Sequence, residues 1–159
     1  MLKITIITIG KLKEKYFIEA SKEYEKRLSA FCNLNMVELD QAFLPQNPGE
    51  KEINANLKSE ADKIIKNIPK GAAVIPLCIE GKKFDSEGFA KKINDLQLTN
   101  SSLCFIIGGS HGLHNEIKAM GKLKFSMSDM TFPHRLARIM LLEQLYRGFK
   151  INQGSNYHK

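Results

Sequence analysis

Leu103-Cys104-Phe105-Ile106-Ile107-Gly108-Gly109-Ser110-His111-Gly112 decides the fold. An unbroken apolar run of strand length is covered on both faces, which is the habit of a central strand in a parallel sheet. It runs straight into glycines, where the backbone can take positive φ and a ligand can approach closely. The spacing predicts a helix over about 113–120 immediately afterwards, whose N-terminus suits an anion. No Lys-Ser/Thr pair follows the glycines, so this is no Walker A loop. The order is not G-x-G-x-x-G either.

Outward from this stretch the same alternation repeats. Toward the N-terminus, Ala72–Ile79 is a second apolar run, with Gly81 expected to close it, and Pro69-Lys70-Gly71 breaks the chain before it. Leu2–Ile9 ends at Gly10, and Leu34–Leu39 supplies a further strand. Between them, residues 13–30 predict an amphipathic helix with Tyr16, Ala20, Tyr24, Arg27 and Leu28 near one face. Residues 51–67 predict another, with Ile53, Leu57, Ala61 and Ile64 on one stripe, and 86–96 a third, capped by Asp85 or Ser86. Residues 40–50 hold Pro45, Pro48 and Gly49 and read as a loop. Toward the C-terminus, Leu123–Met127 is a short strand, and a last helix covers about 133–150 with Thr131 as cap and Pro133 in its first turn. Strands alternating with helices imply one α/β domain over residues 1–159, with a mostly parallel sheet between helical layers. Ligands in such sheets sit at the carboxyl edge, here the loops after Leu77, Ile107 and Met127.

The last helix is apolar nearly all round. Leu136, Ile139, Met140, Leu141, Leu142, Leu145, Tyr146 and Phe149 cover most of its circumference, which points to burial on several sides and to a two-fold homodimer. Glu143 and Arg147 are spaced for an i,i+4 pair. Arg135 and Arg138 stand as candidates for phosphate contact.

Charge is uneven. The net charge is +7, and residues 111–159 carry eight basic and three acidic side chains, against 16 and 14 in residues 1–110. A basic balance favours polyanions. Three widely spaced cysteines and the absence of a C-x-x-C pair fit small buried hydrophobes in a reduced compartment. No clustered metal ligands, no signal peptide and no apolar run near the roughly 20 residues of a membrane span are present. A cytoplasmic protein without metal is expected.

Several motifs together resemble one family: Ile6–Gly10-Lys11-Leu12-Lys13, Glu25-Lys26-Arg27-Leu28, Leu77 through Gly81-Lys82, and Ser86-Glu87-x-Phe89-Ala90. The glycine loop from Phe105 to Gly112 belongs with them, as do Ser126-x-Ser128-x-Met130-Thr131-Phe132-Pro133-His134, Glu143-Gln144-x-Tyr146-Arg147 and the terminal Tyr157-His158-Lys159. End to end, the chain resembles the bacterial ribosomal RNA large subunit methyltransferase H family of the SPOUT superfamily. Asp85, where the family usually has serine, is the one departure, and His111 stands at a position expected to vary.

The resemblance implies a parallel three-layer SPOUT fold whose C-terminal part forms a trefoil knot, and an obligate homodimer. It implies methyl transfer from S-adenosylmethionine to N3 of a pseudouridine in 23S rRNA, on the assembled ribosome. Leu77, Gly108 and the loop Met127-Ser128-Asp129-Met130-Thr131-Phe132 would hold the cofactor. His134, Arg135, Arg147, Tyr157, His158 and Lys159 would face RNA or the transferred methyl, with His134 or His158 as proton acceptor. Two other readings stand beside this one. One is a non-catalytic ribosome-binding factor with the same fold. The other is a small phosphotransferase, against which the missing phosphate loop and metal carboxylates weigh.

Overall fold

The computed structural model describes residues 1–158. The chain alternates β1 (Lys3–Ile9), α1 (Lys15–Leu28), β2 (Asn33–Leu39), α2 (Glu50–Asn67), β3 (Ala73–Lys83), α3 (Ser86–Thr99), β4 (Ser102–Ile107), α4 (Asn115–Ala119), β5 (Phe125–Ser126) and α5 (His134–Asn152). The strands form one sheet in the order β2-β1-β4-β3-β5. Each neighbouring pair is parallel.

The two-residue period of the strands sorts their side chains between two cores. Ile4 and Ile6 of β1 and Leu103, Phe105 and Ile107 of β4 face one side, where they meet Leu28 of α1, Phe89 and Ile93 of α3, and Leu141, Leu142 and Leu145 of α5. Ile7, Ile9, Cys104 and Ile106 face the other, against Ala61 and Ile64 of α2 and Ile117 of α4. The result is three layers, as the alternation of elements predicts.

Four local expectations fail for identifiable reasons. On α1 the inward face carries buried Ser21 and Leu28 with half-buried Phe17 and Tyr24, while Tyr16 is 65% exposed. β3 does not stop at Ile79 but runs through Gly81 to Lys83. A Cβ at Gly81 would lie 2.7 Å from the backbone carbonyl carbon of Phe125, so this glycine admits β5 rather than ending β3. The last strand is shorter than Leu123–Met127, reduced to Phe125–Ser126. Finally, α5 is capped by Pro133, whose carbonyl accepts from Ala137 N at 2.9 Å, and Thr131 lies outside it in the preceding loop.

Candidate active site

β3 pairs with β4 as far as Pro76↔Ile106 and continues beside β5, with a register shift between Leu77 and Lys82. The strands therefore part at the carboxyl edge. The Leu77–Glu80 stretch of β3, which continues as strand where the sequence suggests a loop, and the loops after Ile107 and Ser126 line a cavity of about 800 Å³ in the gap. That volume lies in the range of small-molecule sites, roughly 300–1,000 Å³.

The glycine loop is shaped by contact with itself. A Cβ on Gly108 would come within 2.3 Å of the Gly112 carbonyl oxygen. Gly109 and Gly112 form an isolated antiparallel bridge, and Gly112 takes φ +76°. The obstacle to a side chain at position 108 is thus already present in the chain. The loop after β5 is likewise tied by its own hydroxyls. Ser126 Oγ donates to the Ser128 carbonyl at 3.0 Å, and Ser128 Oγ accepts from Met130 N at 3.0 Å. Such short-range bonds let serine hold an irregular backbone.

Of the residues expected around a cofactor, Leu77, Gly108, Met127, Ser128, Met130, Thr131 and Phe132 line this cavity. Asp129 is the exception: its carboxylate turns away to Lys83 at 2.5 Å, with its side chain 82% exposed. Ile107, Phe125 and Ala137 add apolar wall. Glu80 and Lys118, which no motif singles out, pair at 2.6 Å on the lining. Only their long-range neighbourhood makes them visible.

His134, the first residue of α5, also lines the cavity. Its Nε2 lies 3.6 Å from where a Cβ of Gly10 would stand, so the end of β1 backs the ring. Burial pushes the imidazole below its ordinary pKa, and the neighbouring Arg135 guanidinium pushes the same way against a smaller opposite pull from Glu14. The ring is therefore neutral near pH 7.

The remaining candidates gather elsewhere. Arg147 donates from Nε and Nη2 to Glu143 Oε1 at 2.9 and 2.6 Å and sits over the Tyr157 ring, 4.8 Å from its centroid. Its Nη1 stands 3.3 Å from His158 Nδ1. His158 borders a groove of about 420 Å³ that shares Phe125 and Met127 with the main cavity. Within one chain, then, Arg147, Tyr157 and His158 form one cluster and His134 belongs to another site. Lys159 lies outside the described residues.

Arg135 and Arg138 do not stand out as free cations. Arg135 pairs with Glu14 at 2.9 Å. Arg138 is 6% exposed and pairs with Glu38 on β2 at 2.6 Å, which corrects the expectation that it reaches phosphate. Cys32 and Cys104 are buried, with thiols pushed up to about 11 and about 12, so they stay protonated. Among the described residues no group of three or more His, Cys, Asp or Glu side chains could hold a metal ion, and no helix is long and apolar enough to cross a membrane.

A parallel, three-layer α/β fold with a small-molecule-sized cavity at the carboxyl edge defines the class, and solved structures share the fold. A tRNA (m1G37) methyltransferase from Aquifex aeolicus superposes with TM-score 0.54 at 14% identity, covering 91% of this chain and 69% of that one. A probable methyltransferase from Bordetella pertussis superposes with TM-score 0.58 at 11% identity, covering 92% and 94%. Residues 2–158 match the family described as "Predicted SPOUT methyltransferase". Ribosomal RNA large subunit methyltransferase H from Clostridioides difficile is 45% identical over 159 residues, and that from Streptococcus suis 46%, each covering 99% of this chain and 100% of the relative. The chain belongs to the SPOUT methyltransferases, in the ribosomal RNA large subunit methyltransferase H family.

Proposed function

We propose that this protein is a ribosomal RNA methyltransferase that transfers a methyl group from S-adenosylmethionine to N3 of a pseudouridine in 23S rRNA, acting on the assembled ribosome as a cytoplasmic homodimer with a C-terminal trefoil knot and one domain per chain. The observation that carries the reading is the full-length identity of about 45% to proteins named for this RNA, joined to the cavity at the carboxyl edge of the sheet.

The lining fits a sulfonium nucleoside. Leu77, Ile107, Met127 and Phe132 offer apolar surface to a purine, and the loops around Gly108 and Ser128 offer backbone groups to its ring nitrogens. S-adenosylmethionine, when bound, supplies an electrophilic methyl group on sulfur. The chain's own task is to align the acceptor nitrogen with that methyl and to remove the N3 proton. His134, held neutral, can take a proton. The Arg147 guanidinium favours a deprotonated base, but Glu143 already holds it in a fork. His158, whose Nδ1 accepts from Arg147 Nη1 at 3.3 Å, is the second candidate, able to take a proton once that contact is released.

Two features support a dimer. Leu136, Ile139 and Met140 on α5 remain only half-buried in one chain. The cluster of Arg147, Tyr157 and His158 also lies across the Phe125–Met127 wall from His134's cavity, so a second copy offers a way to bring a tail to each cavity. A basic chain of net charge +7 suits an RNA partner.

The test is transfer of labelled methyl from S-adenosylmethionine to ribosomes lacking the modification, with mapping of the labelled nucleotide. Label on N3 of one pseudouridine in 23S rRNA is expected, with much weaker labelling of free RNA. Cofactor binding without transfer would favour a non-catalytic ribosome-binding factor. Equal labelling of free RNA would remove the ribosome from the reading.

A further inference from the structure

Behind the glycine loop lies a second, smaller cavity of about 260 Å³, bordered by Gln41, Asn56, Glu60, Ser110 and His111. Ser110 and His111 also line the 800 Å³ cavity, so the two meet at this loop. Glu60, in the body of α2, is 4% exposed, an unusual position for a carboxylate unless something pairs with it. Among the described residues it accepts one hydrogen bond, a long 3.4 Å contact from Ala42 N. Among the described residues no basic side chain pairs with it: Lys63 turns its Nζ to the Asp40 carbonyl at 3.4 Å, and the His111 ring is 3.4 Å from the Ser110 hydroxyl. Burial raises its pKa against the weaker opposing pull of the Ala42 N–H. The amide of Gln41, 3.2 Å from where a Cβ of Gly109 would stand, makes no side-chain hydrogen bond among the described residues. Asn56 is different, since its amide is spent on the carbonyls of Ala42 and Phe43.

The geometry points to Glu60 and the cavity it faces as the subsite for the amino-acid end of the methyl donor, with the Glu60 carboxylate accepting its ammonium. This rests on the methyl-donor reading above. An α-amino acid carries one cation and one anion a bond or two apart. The cavity offers one buried acceptor carboxylate and, at its exposed rim, the Gln41 amide as a donor. Glu80, the carboxylate lining the main cavity, is already neutralised by Lys118 at 2.6 Å and is half-exposed. Among the described residues Glu60 has no such partner. A charge-assisted hydrogen bond to a buried carboxylate is among the stronger polar contacts available.

The test compares two thioether nucleosides by calorimetry: S-adenosylhomocysteine, which has the amino-acid end, and 5′-methylthioadenosine, which lacks it. Wild-type protein is expected to bind the first at least about tenfold more tightly, and Glu60→Gln to lose about tenfold for the first with little change for the second. Equal wild-type affinities would overturn the assignment without any variant. So would equal losses for both ligands in Glu60→Gln, which would make Glu60 a scaffold residue, or no loss for either. If wild-type protein binds neither nucleoside, the methyl-donor reading itself fails.

Discussion

Glu143 gathers the end of the chain onto one oxygen atom: its Oε1 accepts from Arg147 Nε and Nη2 at 2.9 and 2.6 Å and from the Tyr157 hydroxyl at 3.4 Å. The pair sits one helical turn apart on α5, so it needs no tertiary contact to form. What tertiary structure adds is the tail, whose Tyr157 ring stacks under the guanidinium and whose His158 meets its Nη1. Glu143→Ala should therefore free Arg147 and loosen the tail together. Because the pair is partly buried, its side chains 25% and 19% exposed, unfolding should shift by about 1–2 kcal/mol. Methyl transfer to ribosomes should fall on the order of a hundredfold, the penalty for misplacing a group by about an ångström. Loss of activity matched by loss of fold would mean the fork is merely structural.

Gly108 and Gly109 are adjacent but should respond differently to alanine. At 108 the new Cβ meets backbone, the Gly112 oxygen at 2.3 Å, and the loop must open. At 109 it meets the end of the Gln41 side chain at 3.2 Å and Ile9 Cγ2 at 3.3 Å, which can yield. Gly108→Ala should cost about 2 kcal/mol in urea unfolding and abolish measurable S-adenosylhomocysteine binding, whereas Gly109→Ala should cost under about 1 kcal/mol. Similar losses at both positions would show that the loop's self-contact does not set the cavity's shape.

The three layers and the site-forming loops are legible in the sequence, because their signals are local. Ile4 and Ile6 against Ile7 and Ile9 announce two covered faces, and serines mark a backbone that must be tied down after β5. What could not be read depends on a distant partner. Gly81 looks like the end of a strand until Phe125 is placed 2.7 Å from its missing Cβ. Asp129 looks like part of a ligand loop until Lys83 claims it. Glu60 belongs to no motif, and one position on a charged helix looks much like the next. Its burial comes from the 40–44 loop folding over it.

Arg138 and Glu38 make an asymmetric pair. The guanidinium side chain is 7% exposed and the carboxylate 33%, and Arg138 Nε has no hydrogen-bond partner among the described residues. Removing the carboxylate strands a buried cation, whereas removing the arginine leaves a carboxylate that water can reach. Glu38→Ala should thus cost about 2 kcal/mol, below the 3–5 kcal/mol typical of a fully buried pair because Glu38 is partly solvated. Arg138→Met, which keeps the apolar bulk, should cost less than about 1 kcal/mol. Chemical denaturation of both variants decides the order, and the reverse ranking would mean that Arg138 is better hydrated than its burial implies.

His134 provides a pH signature with a definite sign. Its pKa in the folded protein lies below the ordinary 6.5, chiefly from burial and secondarily from Arg135. The unfolded chain therefore takes up a proton first as pH falls through about 6.5, and the folded form lags behind it. Over that window the histidine makes folding progressively less favourable, and the penalty levels off once the folded ring is also protonated. Above pH 7 both states hold a neutral ring and the penalty is absent. His134→Gln removes the titration, so wild-type stability measured by urea unfolding should fall more steeply than the variant's between pH 7 and pH 5, and the two should run parallel from pH 7 to pH 8. If the same neutral ring accepts the N3 proton, the acid limb of kcat/KM for wild-type protein should have its midpoint below 6.5, because protonation removes the acceptor. Parallel stability curves across the whole range would show that the imidazole is solvated rather than held against Gly10. An acid limb centred well above 6.5 would assign the proton to another group.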